Sequence, residues 1–105
     1  MEEQPSLRVI EEISDNDIDF QNNLIEILKK EFVLEVDSYK KNFDAQNFTK
    51  ASDCVHKLKH KISLLALEQG LVTAATFEKE LKKGNTELHQ KFMGILNKIN
   101  VYLYN

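Results

Sequence analysis

The chain has 105 residues, of which 42% are hydrophobic and 30% charged, with one proline, three glycines and one cysteine. That is enough for one domain with one core, and it excludes an internal disulfide framework, a four-thiolate zinc site and the turn-rich chain of an all-β fold. The net charge of −3 hides an asymmetry: residues 1–47 carry twelve acidic and five basic side chains, residues 48–105 five and nine, which predicts a local basic surface and no nucleic-acid partner.

The acidic Met1-Glu2-Glu3-Gln4 opening is unlike a signal peptide, and no apolar run approaches the ~20 residues of a membrane span. With a lone cysteine, these features lead us to expect a cytoplasmic protein without a membrane partner.

Residues 1–15 read as an N-terminal segment, with Ser6 capping a short helix through Ile13 whose Leu7, Ile10 and Ile13 form a lid. Residues 16–105 follow as the main body. Ile25, Leu28, Phe32, Val36, Tyr39 and Phe43 recur at steps of three or four, so residues 16–43 are predicted as one long helix capped by Asp15 or Asp17. Asp44-Ala-Gln-Asn47 is a turn. The next helix, about 48–65, buries Ala51, Cys54, Val55, Leu58, Ile62 and Leu65. A further helix, about 68–83, turns Leu71, Ala74, Phe77 and Leu81 inward. Gly84-Asn85 stops it, and Thr86 caps a last helix carrying Leu88, Phe92, Ile95, Leu96, Ile99 and Leu103. Gly94 inside that helix predicts a close helix contact. Short connections between long helices favour antiparallel neighbours, so the expected fold is all-α, an up-and-down four-helix bundle with a short N-terminal helix or lid.

The helix over 48–65 has a second stripe. Thr49, Asp53, His56, Lys59, His60 and Ser63 share one polar face, opposite Leu58 and Ile62. His56 therefore faces solvent in mid-helix, with Lys59 and His60 one turn on. Lys50, Lys57, Lys59 and Lys61 against Asp53 make the surroundings basic. An exposed imidazole beside a cation suits phosphoryl acceptance: the neutral ring nitrogen attacks phosphorus and the lysine offsets charge on the phosphoryl oxygens.

Val55-His56-Lys57-Leu58-Lys59, followed by Ile62-Ser63-Leu64-Leu65-Ala66-Leu67, resembles the central helix of histidine-containing phosphotransfer (HPt) domains. Thr73-Ala-Ala-Thr-Phe-Glu78 is similar to that family's next helix. His60, Lys61 and Ala66 depart from the pattern, standing where the family commonly has glycine or another small residue. The resemblance implies a carrier and not a kinase: His56 accepts a phosphoryl group from a receiver-domain aspartate and passes it to another receiver in a two-component phosphorelay. Lys59 is then the electrostatic helper, with Lys57, His60 and Lys61 as a docking rim and Asp53 and Ser63 on the same polar face. We expect a monomer, and the resemblance implies that its partners are response-regulator receivers, a hybrid histidine kinase, or both. No cofactor is expected on this chain, since the Mg²⁺ belongs to the receiver. No Gly-rich nucleotide loop is present.

Three other readings stand beside this one. His56 and His60, four apart, place two imidazoles on one face, as metal ligands can be, but Lys-Leu-Lys lies between them and no third ligand is evident. Cys54, on the apolar side, reads as a small buried residue. The main rival function is a non-catalytic helical interaction module, a scaffold or inhibitor in which His60 and Lys61 spoil receiver docking. An exposed His56 with an apolar patch around it separates the phosphotransfer reading from that rival.

Overall fold

The computed structural model describes residues 2–104; Met1 of the acidic opening and Asn105 lie outside the described residues. Among the described residues there are five helices and no strand: α1 (Arg8–Ser14), α2 (Ile18–Asp44), α3 (Phe48–Leu64), α4 (Glu68–Lys82) and α5 (His89–Tyr104). The fold is all-helical, and no helix is long and apolar enough to cross a membrane.

The apolar stripes become the core with few changes. Leu28, Phe32 and Tyr39 of α2 are buried, while Ile25, Val36 and Phe43 are half-buried at its edge. All six positions expected inward on α3 are buried, Cys54 among them. Ala74, Phe77 and Leu81 of α4 and Phe92, Leu96, Ile99 and Leu103 of α5 complete the core. In α1, Ile10 is fully buried and joins that core. Ile13, expected inward, is instead 52% exposed. Its place is taken by Ser14, whose hydroxyl satisfies itself on the Ile10 carbonyl at 2.7 Å and so can be buried.

Side-chain caps set the starts of α2 and α3. Asp17 Oδ1 accepts from Phe20 N at 3.0 Å, choosing Asp17 over Asp15 as the α2 cap. Asn47 Oδ1 accepts from Lys50 N at 3.4 Å at the start of α3. The start of α4 is capped from a distance. Leu67 offers no side-chain acceptor there, and the Glu3 carboxylate takes the Gln69 and Gly70 amides at 3.0 and 2.6 Å. Gly70 permits this approach, because a Cβ there would meet Leu67 Cβ at 3.3 Å and Glu3 Oε1 at 3.4 Å. Thr86, expected to cap the last helix, does not begin it. Residues 86–88 form a turn, Asn85 Oδ1 accepts from Glu87 N, and α5 starts at His89. Nor does Gly94 mark a close helix contact: a Cβ there would meet nothing within 4 Å.

Three helix ends share one geometry. After α2, α3 and α4 a residue with positive φ follows the last turn: Gln46 at 60°, Ala66 at 64° and Gly84 at 81°. At each, a 6→1 backbone bond closes the end, Asn47 N to Asn42 O, Leu67 N to Ile62 O and Asn85 N to Glu80 O, at 2.8 to 3.2 Å. Only the last uses glycine, the residue that occupies this conformation without a Cβ clash. Ala66→Gly is therefore expected to stabilise the protein by about 0.5–1 kcal/mol, relief of the clash outweighing the extra freedom of the unfolded chain. A urea midpoint no higher than wild type refutes this.

Successive long helices run antiparallel. Lys61 of α3 meets Glu31 and Glu35 of α2 while Cys54 meets Ser38. On α4, Glu78 meets Ser52 and His56 of α3, and Gly70 lies beside Ile62. The α3–α4 pair is the most closely packed, and both helices bring small buried residues to the bundle: Ala51 and Ser52 on α3, Gly70, Thr73 and Ala74 on α4. Helix α5 returns along α2: Tyr39 bonds His89 at one end and the Tyr104 hydroxyl donates to the Lys29 carbonyl at the other.

At the His89 end lies an aromatic cluster. Fully buried Tyr39 and Phe92 pack edge to face, with centroids 5.2 Å apart, and Phe77 packs against both. The His89 ring lies flat on Phe43, with centroids 3.8 Å apart. Its Nδ1 shares a hydrogen bond of 2.6 Å with the Tyr39 hydroxyl, which burial keeps protonated by pushing the phenol far above its ordinary ionisation range. Burial also holds the His89 imidazole below its ordinary 6.5, outweighing the pull of Asp44. As pH falls through 6.5 the unfolded chain takes up a proton before the folded one does, so stability drops. The loss in urea midpoint between pH 7.5 and 5.5 is expected to be smaller in His89→Gln, which keeps an acceptor but cannot titrate. Equal losses in the two proteins contradict it.

Candidate functional site

The α3–α4 pair carries the site. Three residues of α3 at spacings of four and three, Ser52, His56 and Lys59, converge on one residue of α4, Glu78. The Ser52 hydroxyl, fully buried, donates to the Glu78 carbonyl at 2.8 Å and sets the register of the two helices at this level. Glu78 Oε2 lies 3.0 Å from His56 Nδ1, and Glu78 Oε1 accepts from Lys59 Nζ, also at 3.0 Å. An ionised carboxylate only accepts, so Nδ1 carries the hydrogen and Nε2 of the neutral ring keeps its lone pair.

Glu78 is ionised for a definite reason. Burial alone would raise its pKa, but the hydrogen bond and charge of Lys59, then those of His56, more than offset this and hold it below the usual carboxylate value of 4.5. Its side chain is only 15% exposed, against 53% for His56. The carboxylate is thus a fixed wall behind a solvent-facing imidazole. Lys59, 25% exposed, bridges wall and solvent.

The other residues of the polar stripe divide. His60 is exposed and its ring stands edge-on to that of His56, centroids 5.2 Å apart and planes at 88°. Asp53, Lys57 and Ser63 are exposed. Lys61 is not part of an open rim: its side chain is 12% exposed and its ammonium sits between Glu31 Oε1 at 2.8 Å and Glu35 Oε2 at 3.2 Å. The acidic pair on α2 draws it across the α2–α3 seam, where burial opposes its charge but the two carboxylates raise its pKa overall. No group of three or more His, Cys, Asp or Glu is placed to hold a metal ion among the described residues. Cys54, 8% exposed, makes its polar contact with Ser38 Oγ at 3.4 Å inside the same seam.

Glu78 is the residue that helical periodicity alone does not pick out as functional. It follows Phe77 at the margin of the inward stripe Ala74–Phe77–Leu81, where a carboxylate reads as an ordinary boundary residue. Its position one turn beyond Ala74, on a helix with small residues facing α3, is the signal that a cross-helix partner was within reach.

The solvent edge of α2 is apolar. Phe20, Ile27 and Leu34, 48%, 53% and 70% exposed, recur every seven residues and so fall on one line. Leu34 lies on the stretch of α2 from which Glu31, Glu35 and Ser38 reach α3, while Phe20 and Ile27 lie nearer the start of α2.

Comparison of the chain with protein-family models, with curated proteins and with solved structures finds no match in any of the three.

Proposed function

We propose that this protein is a histidine phosphotransfer carrier in which His56 accepts a phosphoryl group from a receiver-domain aspartate and returns it to another receiver. The observation that carries this reading is the imidazole's setting: Nδ1 tied to the ionised Glu78 in mid-helix, Nε2 free, Lys59 beside it. The Nε2 lone pair forms the N–P bond as the bond from phosphorus to the aspartyl oxygen breaks, and the aspartate carboxylate leaves. Glu78 holds the ring in the tautomer that attacks, and Lys59 offsets charge on the phosphoryl oxygens. The receiver supplies Mg²⁺ and its own acidic pocket, and this chain needs no cofactor.

The order and antiparallel pairing of α2–α5 support an up-and-down four-helix bundle, with α1 as an added lid. Leu34, exposed on α2 beside α3, supplies an apolar contact for a receiver docking as a one-to-one partner of a monomer. Lys57 and His60 form the polar rim beside it, with Asp53 and Ser63 on the same face. His60 supports a second reading, the non-catalytic interaction module: its ring lies perpendicular to that of His56 at 5.2 Å, adding bulk where a receiver would dock.

Incubation with a panel of phosphorylated receiver domains tests the proposal. An acid-labile, base-stable label on the protein is expected. Complex formation with a receiver but no label would move the assignment to the non-catalytic module.

A further inference from the structure

Resting on the phosphotransfer reading, we infer that Glu78 sets the lifetime of the phosphorylated state: by keeping the proton on Nδ1 of phosphorylated His56 it makes the carrier a ready donor and not a store.

The chemistry turns on what leaves when the N–P bond breaks. Attack by neutral His56 through Nε2 gives a ring that bears phosphorus on Nε2 and hydrogen on Nδ1, a cation. If that proton stays, breaking the N–P bond returns the bonding pair to Nε2 and releases neutral imidazole, with no proton transfer required. If the proton has left, the group expelled is the imidazolide anion, a far poorer leaving group. The proton on Nδ1 therefore separates a labile phosphoryl group from a persistent one.

The structure places a carboxylate at that proton. Glu78 Oε2 is 3.0 Å from Nδ1 and held there from below, since Ser52 fixes the Glu78 backbone and Lys59 fixes its other oxygen. A neutral acceptor at the same distance would orient the ring equally well, but only a negative charge favours the cationic phosphoimidazolium. Lys59 works against this, because its ammonium partly neutralises the same carboxylate. The other charged or titratable groups about the ring are Asp53, Lys57 and His60 on α3, one turn or less away, and Lys79 and Lys82 on α4, next to Glu78 and one turn beyond it. All of these except Lys59 are exposed and screened by solvent.

Two substitutions should therefore act in opposite directions. Glu78→Gln keeps an acceptor for Nδ1–H and removes the charge. Lys59→Met leaves the charge and removes its counter-ion. The protein would be loaded with phosphoramidate, which transfers its phosphoryl group to imidazole with loss of ammonia and needs no receiver. Loss of label would then be followed from pH 5 to 9.

In wild type the rate is expected to fall with rising pH, as the ring loses its proton. In Glu78→Gln that fall should come about one pH unit lower, giving a label that lasts up to about tenfold longer at the pH where the two curves differ most. In Lys59→Met it should come at higher pH than in wild type. Curves that coincide, or that move the same way in both variants, overturn the inference while leaving His56 a phosphoryl acceptor. Failure of folded wild type to take an acid-labile label from phosphoramidate overturns the phosphotransfer reading itself, and this inference with it. Should Glu78→Gln prove unfolded, the Lys59→Met curve alone decides: no shift, or a shift to lower pH, refutes the role of Glu78.

Discussion

His56→Ala is expected to take up no phosphohistidine label from receivers that label wild type, a loss of about 10³-fold or more, as removal of a covalent nucleophile entails. His60→Ala is expected to keep the label. The two imidazoles are neighbours on one face of α3, equally plausible by sequence spacing, yet their surroundings differ. His56 has a carboxylate on Nδ1 and a lysine sharing that carboxylate, whereas among the described residues His60 has only the perpendicular packing of its ring on that of His56. Because the His56 side chain is half exposed and Lys59 still pairs Glu78 in its absence, truncation of His56 should cost about 1 kcal/mol or less. A lost label therefore reports lost chemistry and not lost fold. The assignment fails if the label survives in His56→Ala, and it passes to His60 if the label is absent from His60→Ala instead. Uptake would be followed by acid lability of the label, and folding by circular dichroism of the same samples.

Phe77→Ala should be the most damaging of the core truncations adjoining the site, costing about 3–5 kcal/mol. Phe77 is fully buried and its ring packs against Tyr39 of α2 and Phe92 of α5, with His89 also near. It is the side chain through which α4 grips both helices that close the fold around it. Replacement by Ala removes most of a large apolar surface and leaves a cavity walled by rings, which cannot collapse without disturbing one another. Small domains have about 5–15 kcal/mol in total, so the variant is left with a fraction of its stability. At the urea dependence usual for such domains the midpoint should fall by about 2 M or more. A loss under about 1 kcal/mol would mean that the cluster repacks freely. Phe77 also precedes Glu78 directly, so the same substitution should loosen the carboxylate behind His56.

The helices were legible because each is long and its apolar residues recur at one period. Asp17, one of the two expected caps of α2, behaves as its cap, and the inward positions of α3 are all buried. For such stripes burial follows from spacing alone, since a helix has only one way to hide Ala51, Val55, Leu58 and Ile62 together. His56 on the opposite face was legible for the same reason. Boundaries that depend on backbone conformation were less so. Gln46 and Ala66 adopt the left-handed conformation without glycine to announce it, and the turn at Asn85 delays α5 to His89, past Thr86.

Pairings between helices are a different matter. The amino-acid sequence by itself determined an all-helical chain with an exposed histidine and a lysine one turn on, because both follow from the angular period of a single helix. Only the tertiary structure decided that Glu78 stands behind His56, that Lys61 turns away into the Glu31–Glu35 pair, and that Glu3 caps a helix more than sixty residues away. Those are contacts between charged groups on separate elements. Periodicity says which face a residue occupies, but the partner on the neighbouring helix depends on how far the two are slid past one another, and that is settled by core packing between them.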